Sequence, residues 1–120
     1  MGERANIIFF GKRGGICLYS HWAGPEMADA AMKVLENPAF RKRLGDYGYA
    51  TRIGVQTVLE FLRAESDVDT GFGLYPGMSP HDANYGTITI NVDDGSVYVD
   101  HKKVENPTLE KLRALICGDE

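Results

Sequence analysis

Cysteine is scarce: Cys17 and Cys117 stand far apart, in no metal-binding or redox spacing. Two such thiols do not make the disulfide framework of a small secreted scaffold. Free thiols in a reducing cytoplasm are the plain reading, with a Cys17–Cys117 bridge as the alternative. A basic excess is also missing, because 13 Lys and Arg face 17 Asp and Glu for a net charge of −4. That balance gives no footprint for duplex nucleic acid, although a local donor cluster can still hold a small anion. No stretch approaches the ~20 apolar residues of a membrane span. The opening MGERANIIFF carries no signal-peptide cleavage region. The expectation is a cytoplasmic protein that does not bind membranes. His21, His81 and His101 are widely separated, so no metal is expected. Asp67, Asp69, Asp93 and Asp94 read as turn residues. No cofactor motif, repeat or linker is present. The 120 residues are expected to form a single domain, 1–120, large enough to bury a core without a staple.

The chain is 43% apolar, and its pattern predicts the elements. Ala5–Phe10 is a short continuous apolar run, the mark of a strand buried on both faces. Gly11–Gly15 follows as a glycine-rich turn, and Ile16–Ser20 returns as the hairpin partner. A helix opens at Pro25, a residue favoured at the first helical position. Its Met27, Ala28, Ala31, Met32 and Leu35 recur at helical spacing, and Asn37-Pro38 ends it. Phe40–Leu44 can add one turn.

A longer helix is predicted from Tyr49 to Ala64. Ile53, Val55, Val58, Leu59 and Leu62 are expected to form its buried stripe, and Arg52, Gln56, Glu60 and Arg63 another face. Thr70–Tyr75 reads as a glycine-interrupted strand, and Pro76–Tyr85 as a polar loop. Thr87–Val92 and Ser96–Asp100 form a hairpin around a two-residue Asp94-Gly95 turn. Asn106-Pro107 caps a last helix whose Leu109, Leu112, Leu115 and Ile116 face inward. The order β-β-α-α-β-β-β-α predicts an α+β fold, a mainly antiparallel sheet with helices packed against it.

Four segments carry candidate chemistry. Gly14–Gly24 (GGICLYSHWAG) places Ser20, His21 and Trp22 at a strand end before a helix N-terminus, a natural anion site. Glu26 in the first helical turn opposes an anion there. Trp22 can stack on a nucleobase, or it can be a core residue sealing the hairpin. Ser20 and His21 are adjacent on a strand and point to opposite faces, and no nucleophile elbow accompanies them. His21 therefore reads as an orienting hydrogen-bonder rather than half of a catalytic couple.

Lys12 and Arg13 lie in a glycine-rich turn that is not a P-loop, since a strand follows. They can grip phosphate or simply be solvated, and Arg41-Lys42-Arg43 reads as a solvated helix face. Arg52 is expected in the first turn of its helix, where the dipole disfavours a cation, so a partner is expected: Asp46 or a ligand phosphate. Tyr47 and Tyr49 add flat surfaces beside it. Gly71 and Gly73 can floor a pocket or bend a strand.

NIIFFGK, GGICLYSHWAG, YATRI and TGFGL together resemble a widespread family of small phage and bacterial proteins. The resemblance covers Ala5 to Asp100, and LYSHWAG is its most specific part. It implies an oligomeric immune-evasion protein that sequesters a cyclic dinucleotide or cyclic ADP-ribose signal. In that reading the small nucleotide is bound without cleavage. Trp22 and Tyr49 are base platforms, Arg52, Lys12 and Arg13 hold phosphate, and Ser20 and His21 bond the base or ribose. The alternatives are a nucleotide hydrolase using His21 and a protein-binding inhibitor without a small-molecule site.

Overall fold

The structure, a computed structural model, describes residues 3–63 and 71–118. The expected helix end at Ala64, the turn residues Asp67 and Asp69, and the strand start at Thr70 lie outside the described residues. The strands are β1 (Ala5–Gly11), β2 (Gly14–Ser20), β3 (Phe72–Pro76), β4 (Ile88–Asn91), β5 (Val97–Val99) and β6 (Lys102–Lys103). The helices are α1 (Glu26–Glu36), α2 (Pro38–Lys42), α3 (Tyr47–Leu62) and α4 (Leu109–Ile116). The fold is α+β, with a six-stranded sheet in the order β3-β2-β1-β4-β5-β6.

Every strand pair is antiparallel except one: β4 runs parallel to β1, with Ile7 opposite Ile88 and Phe9 opposite Ile90. This pair has a topological cause. β3 and β1 both run antiparallel to β2, so the chain leaves β3 at the end where β4 would finish. The segment 77–87 must therefore travel back across the sheet before β4 can begin.

The two faces of the sheet consequently have different covers. Alternation puts Ala5, Ile7, Phe9 and Leu18 on one face, in a core with Met27 and Ala31 of α1 and Val58 and Leu62 of α3. α1, α3 and α4 all pack on this side, and Leu112 and Ile116 close the core from α4. Asn6, Ile8 and Cys17 point the other way and are buried too, beneath the segment 77–87. β1 is thus buried on both faces, as its unbroken apolar run predicts.

Several local expectations need correction. α3 begins at Tyr47 rather than Tyr49, which moves Arg52 from the first turn into the second. Asp94-Gly95 is not a two-residue turn. Asn91 N–H donates to Ser96 O at 2.8 Å, closing a longer loop over residues 92–95. The Asn91 carboxamide holds that loop by accepting from Asp93 N–H (2.7 Å) and Asp94 N–H (3.2 Å).

A two-residue turn falls instead at Asp100-His101, between Val99 and its partner Lys102. Both turn residues have positive φ, 48° and 73°, as a type I′ hairpin demands. Asp100 tolerates this because its carboxylate accepts from Thr87 N–H at 2.9 Å. The cap of α4 is Thr108, whose hydroxyl accepts from Lys111 N–H, and not Asn106. Leu109 in turn is exposed rather than inward. Cys17 and Cys117 are free thiols, one buried and one exposed. No described helix is long and apolar enough to cross a membrane.

Candidate functional site

The end of β2 is shaped by one hydroxyl. Ser20 is fully buried, and its Oγ accepts from Trp22 N–H (3.2 Å) and Ala23 N–H (2.8 Å). This side-chain turn swings the chain out of the sheet toward α1. It leaves Trp22 on the surface, 51% exposed, so Trp22 does not seal the core. Ser20 itself reaches no solvent.

His21 continues the ladder, its N–H donating to Gly71 O at 2.8 Å. Tyr19, two residues earlier, projects to the same face, and its hydroxyl lies 2.9 Å from His21 Nδ1. Gly73 pairs with Tyr19 across β2 and β3. A cleft of about 300 Å³ opens there, lined by Tyr19, His21, Gly71, Phe72, Gly73 and Tyr75.

The rings form a continuous series. Trp22 meets His21 edge to face with centroids 4.6 Å apart, and Tyr19 meets His81 likewise at 4.5 Å. His81 stacks on Tyr75 at 4.9 Å with planes 9° apart. Offset and edge-on rings of this kind attract through their quadrupoles. His81 reaches the Tyr19 and Tyr75 rings only because the segment 77–87 recrosses the sheet. Asn6 pins it, donating from Nδ2 to His81 O at 2.7 Å and accepting His81 N–H on Oδ1 at 3.2 Å.

The remaining candidates lie elsewhere. Lys12 and Arg13 occupy the tip of the β1–β2 hairpin, where Lys12 N–H donates to the Asp93 carboxylate at 2.8 Å. The length of β2 puts them roughly 25 Å from His21. Tyr49 and Arg52 belong to α3, on the helical side of the sheet. Asp46 pairs with Arg43 at 3.4 Å and not with Arg52. The same Arg43 guanidinium sits 4.2 Å over the Tyr49 ring. Arg52 donates instead to Gln56 Oε1, and Gln56 Nε2 donates to Glu60 Oε2 at 3.0 Å.

This ladder rims a second, larger groove of about 510 Å³ between α3 and the β2–β3 edge. Ile16, Leu74, Val55 and Leu59 make its apolar lining. Thr51 is nine-tenths buried against it, and its Oγ1 has no hydrogen-bond partner among the described residues.

The structure thus brings His21, Gly71 and Gly73 together, with Trp22 against His21 and Ser20 buried beneath. It separates them from Tyr49 and Arg52 and from Lys12 and Arg13. Tyr19, Phe72 and Tyr75 line the cleft without belonging to the sequence-derived set, and His81 joins them by packing on Tyr19 and Tyr75. Nothing local marks His81, because its place depends on the crossing of 77–87.

Compared with known proteins, the chain matches no protein-family model, no curated protein and no solved structure. The site must be read from its own geometry.

Proposed function

We propose that the chain binds a small nucleotide signal and holds it intact, with the base seated at the cleft between the ends of β2 and β3. The observation that supports this reading is the convergence of His21, Gly71 and Gly73 with Tyr19, Phe72 and Tyr75 on one aromatic-walled cleft, with Trp22 edge-on to His21 beside it. Trp22 presents a half-exposed indole, and stacking is worth ~1–3 kcal/mol per base. Tyr75 is 40% exposed and offers a second ring. The paired Tyr19 hydroxyl and His21 imidazole, 2.9 Å apart, suit the polar edge of a base or ribose.

Glycine at 71 and 73 keeps the floor free of side chains, so a ligand can approach the backbone closely. The cleft lining holds no lysine or arginine among the described residues. The phosphates are therefore assigned to solvent, because burying their charge without paired donors would cost more than stacking returns. This relocates the ligand from the sequence-derived set. Arg52, Tyr49, Lys12, Arg13 and the buried Ser20 drop out of the pocket. The resemblance to phage proteins is consistent with sequestration in a host cytoplasm.

The test is to incubate purified protein with a panel of cyclic dinucleotides and ADP-ribose derivatives, denature it, and analyse what is released. Stoichiometric intact ligand is expected. Trp22→Ala and Tyr75→Ala should each weaken retention about tenfold, equivalent to ~1.4 kcal/mol, and Arg52→Ala should leave it unchanged. Converted ligand would instead support a hydrolase using His21. Retention of no nucleotide overturns the reading.

A further inference from the structure

We propose that a second copy of this chain docks on the free edge of β3, across a two-fold axis at Leu74, so that two six-stranded sheets join into one. The inference concerns assembly and does not depend on the ligand reading.

The edge has a definite polarity. His21 N–H donates to Gly71 O and Gly77 N–H donates to Gly15 O. In the antiparallel register of β2 and β3, these are hydrogen-bonded pairs, and such pairs alternate along a ladder. Residues 71, 73, 75 and 77 therefore turn their backbone groups toward β2. Phe72, Leu74 and Pro76 turn theirs away from it. The outward donors are Phe72 N–H and Leu74 N–H, and Pro76 offers only a carbonyl.

A two-fold axis at Leu74 suits this edge. Each Leu74 N–H meets the carbonyl of the partner's Leu74, and each Phe72 N–H meets the carbonyl of the partner's Pro76. Every outward N–H is satisfied, and the one outward group left over on each strand is the Phe72 carbonyl, which faces the proline. Edges left open are normally blunted by charge, proline or bulges. Here β3 carries no charge, its one proline stands at the strand end, and Leu74, at 56%, Tyr75 and Pro76 are exposed.

The helical side is also self-complementary. Val55 and Leu59 belong to the apolar stripe of α3 yet stay only half-buried beside Leu74. The groove rim reads Arg52, Gln56, Glu60 along α3 and then Arg63 just past its end, all exposed. An axis perpendicular to the sheet makes the two α3 helices antiparallel. Reversed, the same stripe sets negative against positive: Arg52 faces the partner's Glu60, and Glu60 the partner's Arg52. A foreign strand would need to supply this order by chance; a second copy carries it. On the other face the register places Gly73 opposite the partner's Tyr75, so the two clefts meet across the axis.

The test is sedimentation of the whole chain from about 1 µM to about 1 mM, a range bracketing moderate and weak dimers. A concentration-dependent dimer is expected. Leu74→Lys, which leaves the inner ladder to β2 intact, should raise its dissociation constant at least tenfold. Arg52→Glu and Glu60→Arg should each weaken it alone and restore it when the two variants are mixed, since only the mixed pair regains opposite charges. Leu74→Cys in a Cys117→Ser background should cross-link symmetrically on oxidation, because hydrogen-bonded cross-strand positions lie within disulfide reach. Circular dichroism confirms that each variant is folded. A chain that stays monomeric throughout overturns the proposal. So does a dimer that is indifferent to Leu74→Lys and to the charge exchange.

Discussion

Asn6 on β1 makes a peptide-like pair with the backbone of His81, 75 residues along the chain, giving one hydrogen bond and taking another. The fully buried Asn6 side chain thereby anchors the segment 77–87 to the underside of the sheet. It also accepts the Cys17 thiol at 3.2 Å, so its oxygen is shared between two donors. Asn6→Ala should cost about 1–3 kcal/mol, the penalty for leaving His81 N–H and C=O without partners. Urea denaturation measures it. Ligand retention should fall in parallel, because His81 then loses its place against Tyr19 and Tyr75. An unchanged midpoint would show that the segment is held by other means.

Two glycines of α3 should respond oppositely to alanine. A Cβ at Gly54 would overlap the Phe9 ring, whereas one at Gly48 meets nothing within 4 Å. Alanine favours a helix interior over glycine by up to about 1 kcal/mol. Overpacking a core costs about 1–3 kcal/mol. Gly48→Ala is therefore expected to raise the melting temperature and Gly54→Ala to lower it, as thermal denaturation will show.

Asp94 should contribute to acid sensitivity. Its Oδ1 accepts from Ser96 N–H at 2.8 Å and Ser96 Oγ at 2.7 Å, and these bonds hold its carboxyl below the ordinary carboxylate range. A depressed folded-state pKa gives stability that is present above the unfolded value and lost as pH falls through the folded one. Melting curves taken downward from about pH 4 should therefore show a steeper loss for the parent chain than for Asp94→Asn, which cannot titrate. The difference will be small, because the site is exposed. Parallel curves would remove Asp94 from the acid response.

The two thiols should react at very different rates. Burial raises the pKa of Cys17, outweighing the opposing hydrogen bond with the His81 backbone, and a thiol reacts through its thiolate. Cys117 is exposed. Alkylation of the native protein followed by peptide mapping should label Cys117 first and Cys17 only on unfolding. Equal labelling would mean that the region around Cys17 opens readily.

Much of the architecture was legible wherever one element alone sets the pattern. The largely apolar run of β1 and the spacing of α1 predict burial that the structure bears out for Ile7, Ile8, Phe9, Met27, Ala28, Ala31 and Leu35, and α3 buries Val58 and Leu62 of its stripe. The Arg52–Gln56–Glu60 face depends only on helical geometry, and it forms a hydrogen-bonded ladder. Misreadings arose where two local signals compete. Asp94-Gly95 carries the usual composition of a two-residue turn. The Asn91 side chain nevertheless captures the loop amides, and the tight turn falls at Asp100-His101, held by contact with Thr87. Arg52 was expected to pair with Asp46 or a ligand phosphate, but Arg43 takes that carboxylate and Arg52 donates to Gln56. Val55 and Leu59 read as buried because periodicity reports which face is apolar and not whether anything covers it.

Acidic balance and hydrophobic periodicity were enough by themselves to predict an α+β chain with no basic footprint, while scarce cysteine left free thiols or a single bridge open. These properties depend on composition and on neighbours three or four residues apart. The tertiary structure alone decided the parallel pairing of β1 and β4, and with it the crossing that carries His81 to Tyr19. It also divided one sequence-derived site into an aromatic cleft, a charged-rim groove and a solvated hairpin tip. Residues close in type and in sequence can face opposite sides of a sheet, and only the path of the chain assigns each its side.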